Sequence, residues 1–391
     1  MPPRPFGMIG YRCLSCEKEF SGTAPRYICA QCGGNLDVVY DYKRLGGRFS
    51  RKKLAASTDH SAYRYRALFP LASQTPLPAL RIGGTPLYPL PSLGRELGAG
   101  QLYLKDDTRN PSASLKDRAG FMVLAKAIEI GKDVVAGAST GNAASSLARL
   151  ASSMGRRVVI FVPHKAPPAK IAQLLVFGAR VHLVRGSYDD AYDLCIQACE
   201  AFGWYNRNTG YNPFTREGKK TCAYEICEQL QWQAPDKVFV PAGDGNILSG
   251  LWKGFVDLYE LNMTDKLPQM IAVQSDRSAA IARAAADDGV IRPVHARTIA
   301  DSISVDLPRD GMAAVKAIRA SHGEAVTVSD RDILAAIGEL GKTTGVFAEP
   351  AAAAAYAGLK RYAAKNRIQG REKVVMIITG NGLKDIGSAM K

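Results

Sequence analysis

From about residue 100 onward, buried-looking runs of β-branched residues alternate with Ala-rich amphipathic segments. VVAGAS leads into NAASSLARLASSMG, RRVVIFVP into PAKIAQLLVFG, and ARVHLVRG follows. The pattern resumes with KVFVPAG, ILSGLWKGFVDLYEL, MIAVQS and AAIARAAADDG, and closes with KVVMIITGNG. Strands that are apolar at nearly every position are covered on both faces, and the helical segments between them carry the chain back to start a parallel neighbour. The alternation therefore predicts an α/β fold of parallel sheets sheathed by helices. No internal repeat or low-complexity tract interrupts it except Ala351 to Ala355, which predicts a tightly packed helix.

Upstream of this region the chain has a different character. Residues 1–42 contain YRCLSCEKEF and YICAQCGGNLDVVYDY, two CxxC pairs set in short strand-like stretches. Each pair aims two sulfurs at one point, so Cys13, Cys16, Cys29 and Cys32 are candidate ligands of a structural zinc in a small ribbon. A segment this small has too little core to be stable unaided, and metal binding would supply folding energy. Cys195, Cys199, Cys222 and Cys227 instead lie in helical apolar patterns and read as small buried hydrophobes. Residues 43 to about 85, mixed and irregular, read as a connecting arm.

With 391 residues, 47% of them hydrophobic, the chain can bury a core large enough for two or three domains. No run approaches the roughly 18 to 20 apolar residues of a membrane helix. MPPRPFGMIG also lacks the apolar centre of a signal peptide, so a soluble cytoplasmic protein with no membrane partner is expected. The formal charge of +15 is spread along the chain rather than gathered into a tail, which argues for a basic solvated surface and against a nucleic-acid partner.

Three loops carry the candidate chemistry. NPSASLKDRAG places Lys116 at a helix start, where the helix dipole and partial burial favour the free amine needed for covalent catalysis. GASTGNAASS runs from a strand end through Ser139, Thr140, Gly141 and Asn142 into a helix, a start whose amides suit a carboxylate or phosphate and equally suit an ordinary N-cap. VPAGDGNILSGLW ends a buried strand at Gly243, Asp244, Gly245 and Asn246, whose amides can hold a phosphate monoester without a lysine. Neither GxxxxGK[ST] nor a strand-borne GxGxxG is present, which argues against nucleotide binding.

These blocks together resemble the threonine synthase branch of the fold type II pyridoxal-phosphate enzymes. The likeness spans nearly the whole chain through the CxxC pairs, RYRALFP, GGTPL, LYLKDDTRNPSASLKDR, GASTGNAASSLA, NPFTREGKKTCAYEI, VPAGDGNILSGLWKGF, FAEPAAAAA and IITGNGLKD. It implies two parallel-sheet α/β domains with the cofactor, pyridoxal 5'-phosphate, in the cleft, plus the N-terminal zinc ribbon. The expected boundaries are 1–42 for the ribbon, 43–118 with 214–391 for the large domain, and 119–213 for the small one. By the same resemblance Lys116 holds the cofactor and shuttles protons, and Asn142 contacts its 3-hydroxyl. Ser139 and Thr140 bind the substrate carboxylate. Gly243, Asp244, Gly245 and Asn246 cradle the phosphate, and Thr379 faces the pyridine nitrogen. The implied activity is a lyase reaction, O-phospho-L-homoserine and water to L-threonine and phosphate, in a homodimer.

Two stretches depart from the pattern. The family block NPxRxEGxKT has Arg where this chain has Thr215, with Arg216 one position later; both are candidate substrate residues. TIADSISVDLPRDG stands where an SIRIGNP-like segment is expected, removing an Arg and adding Asp301, Asp306 and Asp310, which are expected on a solvated loop. The alternative reading is thus a β-elimination or β-replacement enzyme acting on serine, threonine or O-phosphoserine. A reading from a different class is a binding or regulatory protein with a silent site.

Overall fold

The structure is a computed structural model that describes residues 5–390 apart from 140, 165 and 167. Three strands come first, β1 (Met8–Cys13), β2 (Glu19–Ser21) and β3 (Leu36–Tyr40), followed by β4 (Leu87–Pro89) and β5 (Gln101–Asp106). Next are β6 (Val134–Ala138), β7 (Arg157–Pro163), β8 (Arg180–Val184) and β9 (Tyr205–Asn206). The last four are β10 (Lys237–Pro241), β11 (Gln269–Ser275), β12 (Glu324–Val328) and β13 (Lys373–Ile378). Helices join the parallel strands as the alternating sequence pattern predicts.

The chain divides into two compact units. The first comprises residues 1–83, 110–112 and 116–221. It holds the antiparallel ribbon sheet β2-β1-β3 and a parallel sheet of order β8-β7-β6-β9. The core beside the parallel sheet joins Ala136, Val159 and Phe161 to Tyr192, Cys195 and Cys199 of the helix Tyr188–Phe202, the buried place the sequence predicted for those two cysteines. That helix begins with Ser187 and Asp190 bonding each other's backbone amides and ends at Gly203 with φ of 66°, a left-handed exit that glycine takes without strain.

The expected small domain, 119–213, contains this parallel sheet, but the compact unit is larger. The stretch read as an arm buries Tyr65, Leu68 and Phe69, and the rings of Tyr63 and Phe69 stand 5.3 and 5.4 Å from that of Phe121 in the helix Lys116–Glu129. Glu129 of the same helix accepts from the Ala72 amide and the Thr75 hydroxyl, both at 2.6 Å. The arm is thereby bound to this helix rather than left as a linker. The helix Phe214–Lys219 joins the same unit, and a Cβ on Gly218 would stand 1.9 Å from the Arg118 carbonyl oxygen, so only glycine permits the approach.

The second unit comprises residues 84–109, 113–115 and 222–391, around a six-stranded sheet of order β12-β11-β10-β13-β5-β4. All its pairs are parallel except β4 with β5. β10 is buried at every position, as its unbroken apolar sequence requires. The helix Pro350–Ala363 packs on the sheet through Ala351 to Ala355, all buried, and a Cβ on Gly358 would meet Val273 at 2.5 Å. The tightly packed helix predicted from the alanine run is therefore present. Among the described residues no helix is long and apolar enough to cross a membrane.

Candidate functional site

In the first unit Lys116 opens the helix Lys116–Glu129 and is half-buried. The turn before it is closed by the Ser112 amide, which donates to Asp117 Oδ2 at 2.6 Å, with both residues buried. Ser139 follows the end of β6, where its amide donates to the Phe161 carbonyl at 3.2 Å. Its Oγ accepts the Gly141 amide at 3.2 Å. Gly141 caps the helix Asn142–Ser153 with no side-chain hydrogen bond, and a Cβ there would meet nothing within 4 Å. The loop thus presents first-turn amides, a hydroxyl and the buried Asn142 beside open space, a polar arrangement suited to an anionic group. Thr140, expected in the same loop, lies outside the described residues.

The second unit carries the glycine loop after β10. Gly245 caps the helix Asn246–Glu260 at φ of 86°, again with no side-chain cap. A Cβ on Gly245 would stand 2.7 Å from that of Ala314, and one on Gly243 would stand 2.9 Å from Ile303 Cα. Glycine is therefore required at both positions for the backbone to follow this path. Asp244 turns its carboxylate to the Arg309 amide, with Oδ1 at 3.1 Å, while its carbonyl accepts the Asp310 amide at 3.0 Å.

Asp301 and Asp306 are exposed, as expected of a solvated loop, whereas Asp310 is fully buried. The solvated-loop expectation is corrected for that residue, because its Oδ2 accepts from Asn246 Nδ2 at 2.8 Å and Ser249 Oγ at 2.7 Å. Sequence reasoning missed Ser249 and this use of Asp310. The only signal was a PRDG turn, whose partner lies some sixty positions away in sequence.

The third loop of this unit follows β13. The Thr379 carbonyl accepts the Leu115 amide at 2.9 Å, Ser114 bridges Gly380, and the Asn381 amide donates to the Ala113 carbonyl at 3.1 Å. Residues 113–115, immediately before Lys116 in the sequence, are thereby paired with the 379–381 loop. Thr379 is buried, and its hydroxyl makes no hydrogen bond among the described residues.

Thr215 and Arg216 have other engagements. The Thr215 hydroxyl donates to the Asn212 carbonyl at 2.7 Å. Arg216, buried, donates through Nη1 to Asp37 at 2.7 Å and to the Leu36 carbonyl at 3.3 Å, both on β3 of the ribbon. Nearby, Tyr40 donates its hydroxyl to Glu217, and Lys220 donates to the Tyr40 oxygen at 3.1 Å and to Glu217 at 2.6 Å. The Tyr27 hydroxyl of the ribbon accepts the Asn206 amide at 3.0 Å, and its ring stacks on Tyr211 with centroids 4.9 Å apart. The ribbon is thus seated on the block in which a substrate-binding arginine was expected, a contact that residue spacing alone could not disclose.

The four N-terminal cysteines meet as their spacing predicts. Their sulfurs all lie within 4.8 Å of one another, with Cys13 to Cys32 at 3.5 Å and Cys16 to Cys29 at 3.7 Å. Tetrahedral bonds of ~2.3 Å from one metal place sulfurs roughly 3.8 Å apart, so the set has the dimensions of a thiolate cage. Amides of Ser15 and Cys16 point at Cys13 Sγ and that of Gln31 at Cys29 Sγ, at 3.3, 3.5 and 3.4 Å. Burial raises the Cys13 thiol, but those amides and the neighbouring sulfurs outweigh it and bring the group down to about 7. In contrast, Cys195 is raised by its hydrogen bond to Cys199 and by burial, and Cys227 by burial, so both remain inert thiols.

Residues 79–380 match the family described as pyridoxal-phosphate dependent enzyme. The chain is 38% identical over 384 residues to the threonine synthase of Methanocaldococcus jannaschii, covering 97% of this chain and 94% of the relative. It is 39% identical over 325 residues to the threonine synthase of a Bacillus species, with 82% and 89% covered. Among solved structures it resembles the processed form of threonine deaminase isoform 2 from Solanum lycopersicum, with a TM-score of 0.66 and 24% identity over 76% of this chain and 79% of that one. The last likeness speaks to the fold alone.

Proposed function

The chain belongs to the pyridoxal-phosphate dependent enzyme family, and from that premise we propose that it is a threonine synthase, converting O-phospho-L-homoserine and water to L-threonine and phosphate. The observation that carries this reading is similarity to a threonine synthase over 97% of the chain, a span that takes in the ribbon as well as the catalytic loops.

The residues present fit the cofactor. The loop of Gly243 to Asn246 has no room for a Cβ at either glycine and leaves its helix start uncapped, as a phosphate cradle requires. When bound, pyridoxal phosphate supplies an electron sink for charge developing at the substrate Cα. Lys116 anchors the cofactor through its ε-amine and moves protons at Cα and Cβ of the substrate. Ser139, with the amides at the start of the helix Asn142–Ser153, would bind the substrate carboxylate, a role the resemblance also gives to Thr140, and the Asn142 side chain would orient the cofactor's ring hydroxyl. The Thr379 hydroxyl would serve the ring nitrogen as a neutral partner, which would favour elimination and replacement over amino transfer. Arg216 is engaged with Asp37 and is left out of this substrate site. The same reading gives a structural zinc held by Cys13, Cys16, Cys29 and Cys32, and a cytoplasmic homodimer as the working form.

One observation favours a second reading. With Arg216 turned to the ribbon and no arginine at Thr215, the substrate phosphate lacks its expected guanidinium, which suits a β-elimination or β-replacement enzyme using serine, threonine or O-phosphoserine. Products separate the two. The synthase releases phosphate and threonine in equal amounts from O-phospho-L-homoserine. Release of ammonia and a keto acid from serine or threonine, with O-phospho-L-homoserine untouched, overturns the synthase reading.

A further inference from the structure

Asp310 lies beneath the glycine loop and fixes it from several directions. One carboxylate oxygen accepts both the Asn246 amide nitrogen and the Ser249 hydroxyl, residues on the first turn of the helix whose start forms the cradle. Its own amide holds the Asp244 carbonyl, and the amide of the preceding Arg309 holds the Asp244 carboxylate. Its carbonyl oxygen stands 3.0 Å from the point a Cβ on Gly245 would occupy, so the turn also bounds the loop sterically. Three consecutive loop residues, Asp244 to Asn246, are therefore set by the Arg309–Asp310 turn.

A carboxylate near a phosphate site is unfavourable unless it is turned away and engaged. Asp310 is fully buried, accepts two side-chain donors, and sits at the N-cap of the helix Gly311–Ala320, where the macrodipole favours negative charge. Its hydrogen bonds engage the Asn246 and Ser249 side chains, and the helix start carries no side-chain cap.

We propose that Asp310 is a positioning residue for the phosphate cradle, and that it sets the preference of this loop for a phosphorylated cofactor over its dephosphorylated form. The inference rests on the cofactor reading above. The structural reason is that the amides recognise the phosphate only while the loop is held in one conformation, and Asp310 is the group on which its side-chain and backbone ties converge.

The test is equilibrium binding to the cofactor-free protein, followed by absorbance, with pyridoxal phosphate and with pyridoxal as separate ligands. It compares the wild type, Asp310→Ala, Asp310→Asn and Ser249→Ala. Pyridoxal can engage Lys116 but brings no phosphate to the loop. Asp310→Ala is expected to weaken pyridoxal phosphate binding about tenfold or more while pyridoxal binding stays nearly constant. Asp310→Asn, whose side-chain oxygen can take the place of Oδ2 only as an uncharged and weaker acceptor, and Ser249→Ala are expected to show smaller losses of the same selectivity. These two variants carry the test if Asp310→Ala fails to fold.

Equal loss of both ligands assigns Asp310 a general structural role and overturns the proposal. Unchanged selectivity in the variants, or tighter phosphate-ligand binding in Asp310→Asn, overturns it as well. A wild type that binds pyridoxal as tightly as pyridoxal phosphate instead overturns the cradle reading of the 243–246 loop, which separates the two failures.

Discussion

Lys105 places all three ammonium donors inside the second unit, on the Thr85 carbonyl at 2.7 Å, Glu225 at 2.8 Å and Gln229 at 2.9 Å. Glu225 in turn accepts the Gly84 amide at 2.9 Å and the Thr85 amide at 3.3 Å, so the GGTPL turn is organised by a carboxylate far along the chain. Both members of the pair are buried, and removing one strands the other. Lys105→Met is expected to cost about 3–5 kcal/mol, read from urea unfolding followed by circular dichroism. A loss below 1 kcal/mol would mean that Glu225 takes up a proton at little cost, or finds water. Residues of this kind mark the limit of what the sequence made legible. Lys116, Asn142 and Gly245 stand in blocks with distinctive local order, whereas Asp310, Glu225 and Asp37 act through contacts with residues distant in the chain. A lone acidic side chain between ordinary neighbours carries no periodicity or spacing that announces its partner.

At the scale of elements, the ribbon is the feature whose chemistry and whose role separate most clearly. Its cysteine geometry was legible because two CxxC turns encode local structure. Its seat on the helix Phe214–Lys219 was not, because Tyr40–Glu217, Arg216–Asp37 and Tyr27–Asn206 join segments more than 170 residues apart. If the thiolates hold zinc, chelation removes the energy that keeps β1 to β3 folded. Hydrogen exchange after chelation is then expected to rise first in β1 to β3 and next in residues 206–220, with the six-stranded sheet unchanged. Fast exchange confined to the ribbon would show that the seat survives without the metal. Arg216→Ala breaks the same seat by a different route and is expected to cost about 1–3 kcal/mol, less than a fully buried pair, because Asp37 still reaches water.

For the whole molecule, the acid limb of stability follows from several carboxylates. Asp190 is held below the usual Asp range by the Ser187 amide and hydroxyl, and Asp332 by the Ser329 hydroxyl and amide. Asp288 is brought to about 2 by hydrogen bonds from Arg292 and the Val290 amide; for Asp236, burial works upward but the Lys266 and Lys373 contacts prevail. A depressed folded value means stability is fully present above the unfolded value of about 3.9 and is lost as pH falls through the folded values. Asp106, raised by burial against its Thr108 bonds, works in the opposite sense. Calorimetry is therefore expected to show a melting temperature nearly level from pH 7 to 5 and falling between about pH 4 and 2. A melting temperature that rises over the acid interval would contradict this balance. Fold class was legible at this scale because parallel strands buried on both faces leave unbroken apolar runs. The extent of the first unit was not, because the arm before residue 84 is irregular in sequence yet docks through Tyr63 and Phe69 on a helix that starts at residue 116. The order of the six-stranded sheet has a further consequence for synthesis. β5, at residues 101–106, finds one of its two neighbours only in β13, at residues 373–378, whereas the four-stranded sheet has all its strands by residue 206. During translation the four-stranded sheet can therefore close while the chain is still emerging, but β5 waits beside β4 with one edge open until residue 378 has cleared the ribosome, an interval in which that edge is exposed to pairing with other chains.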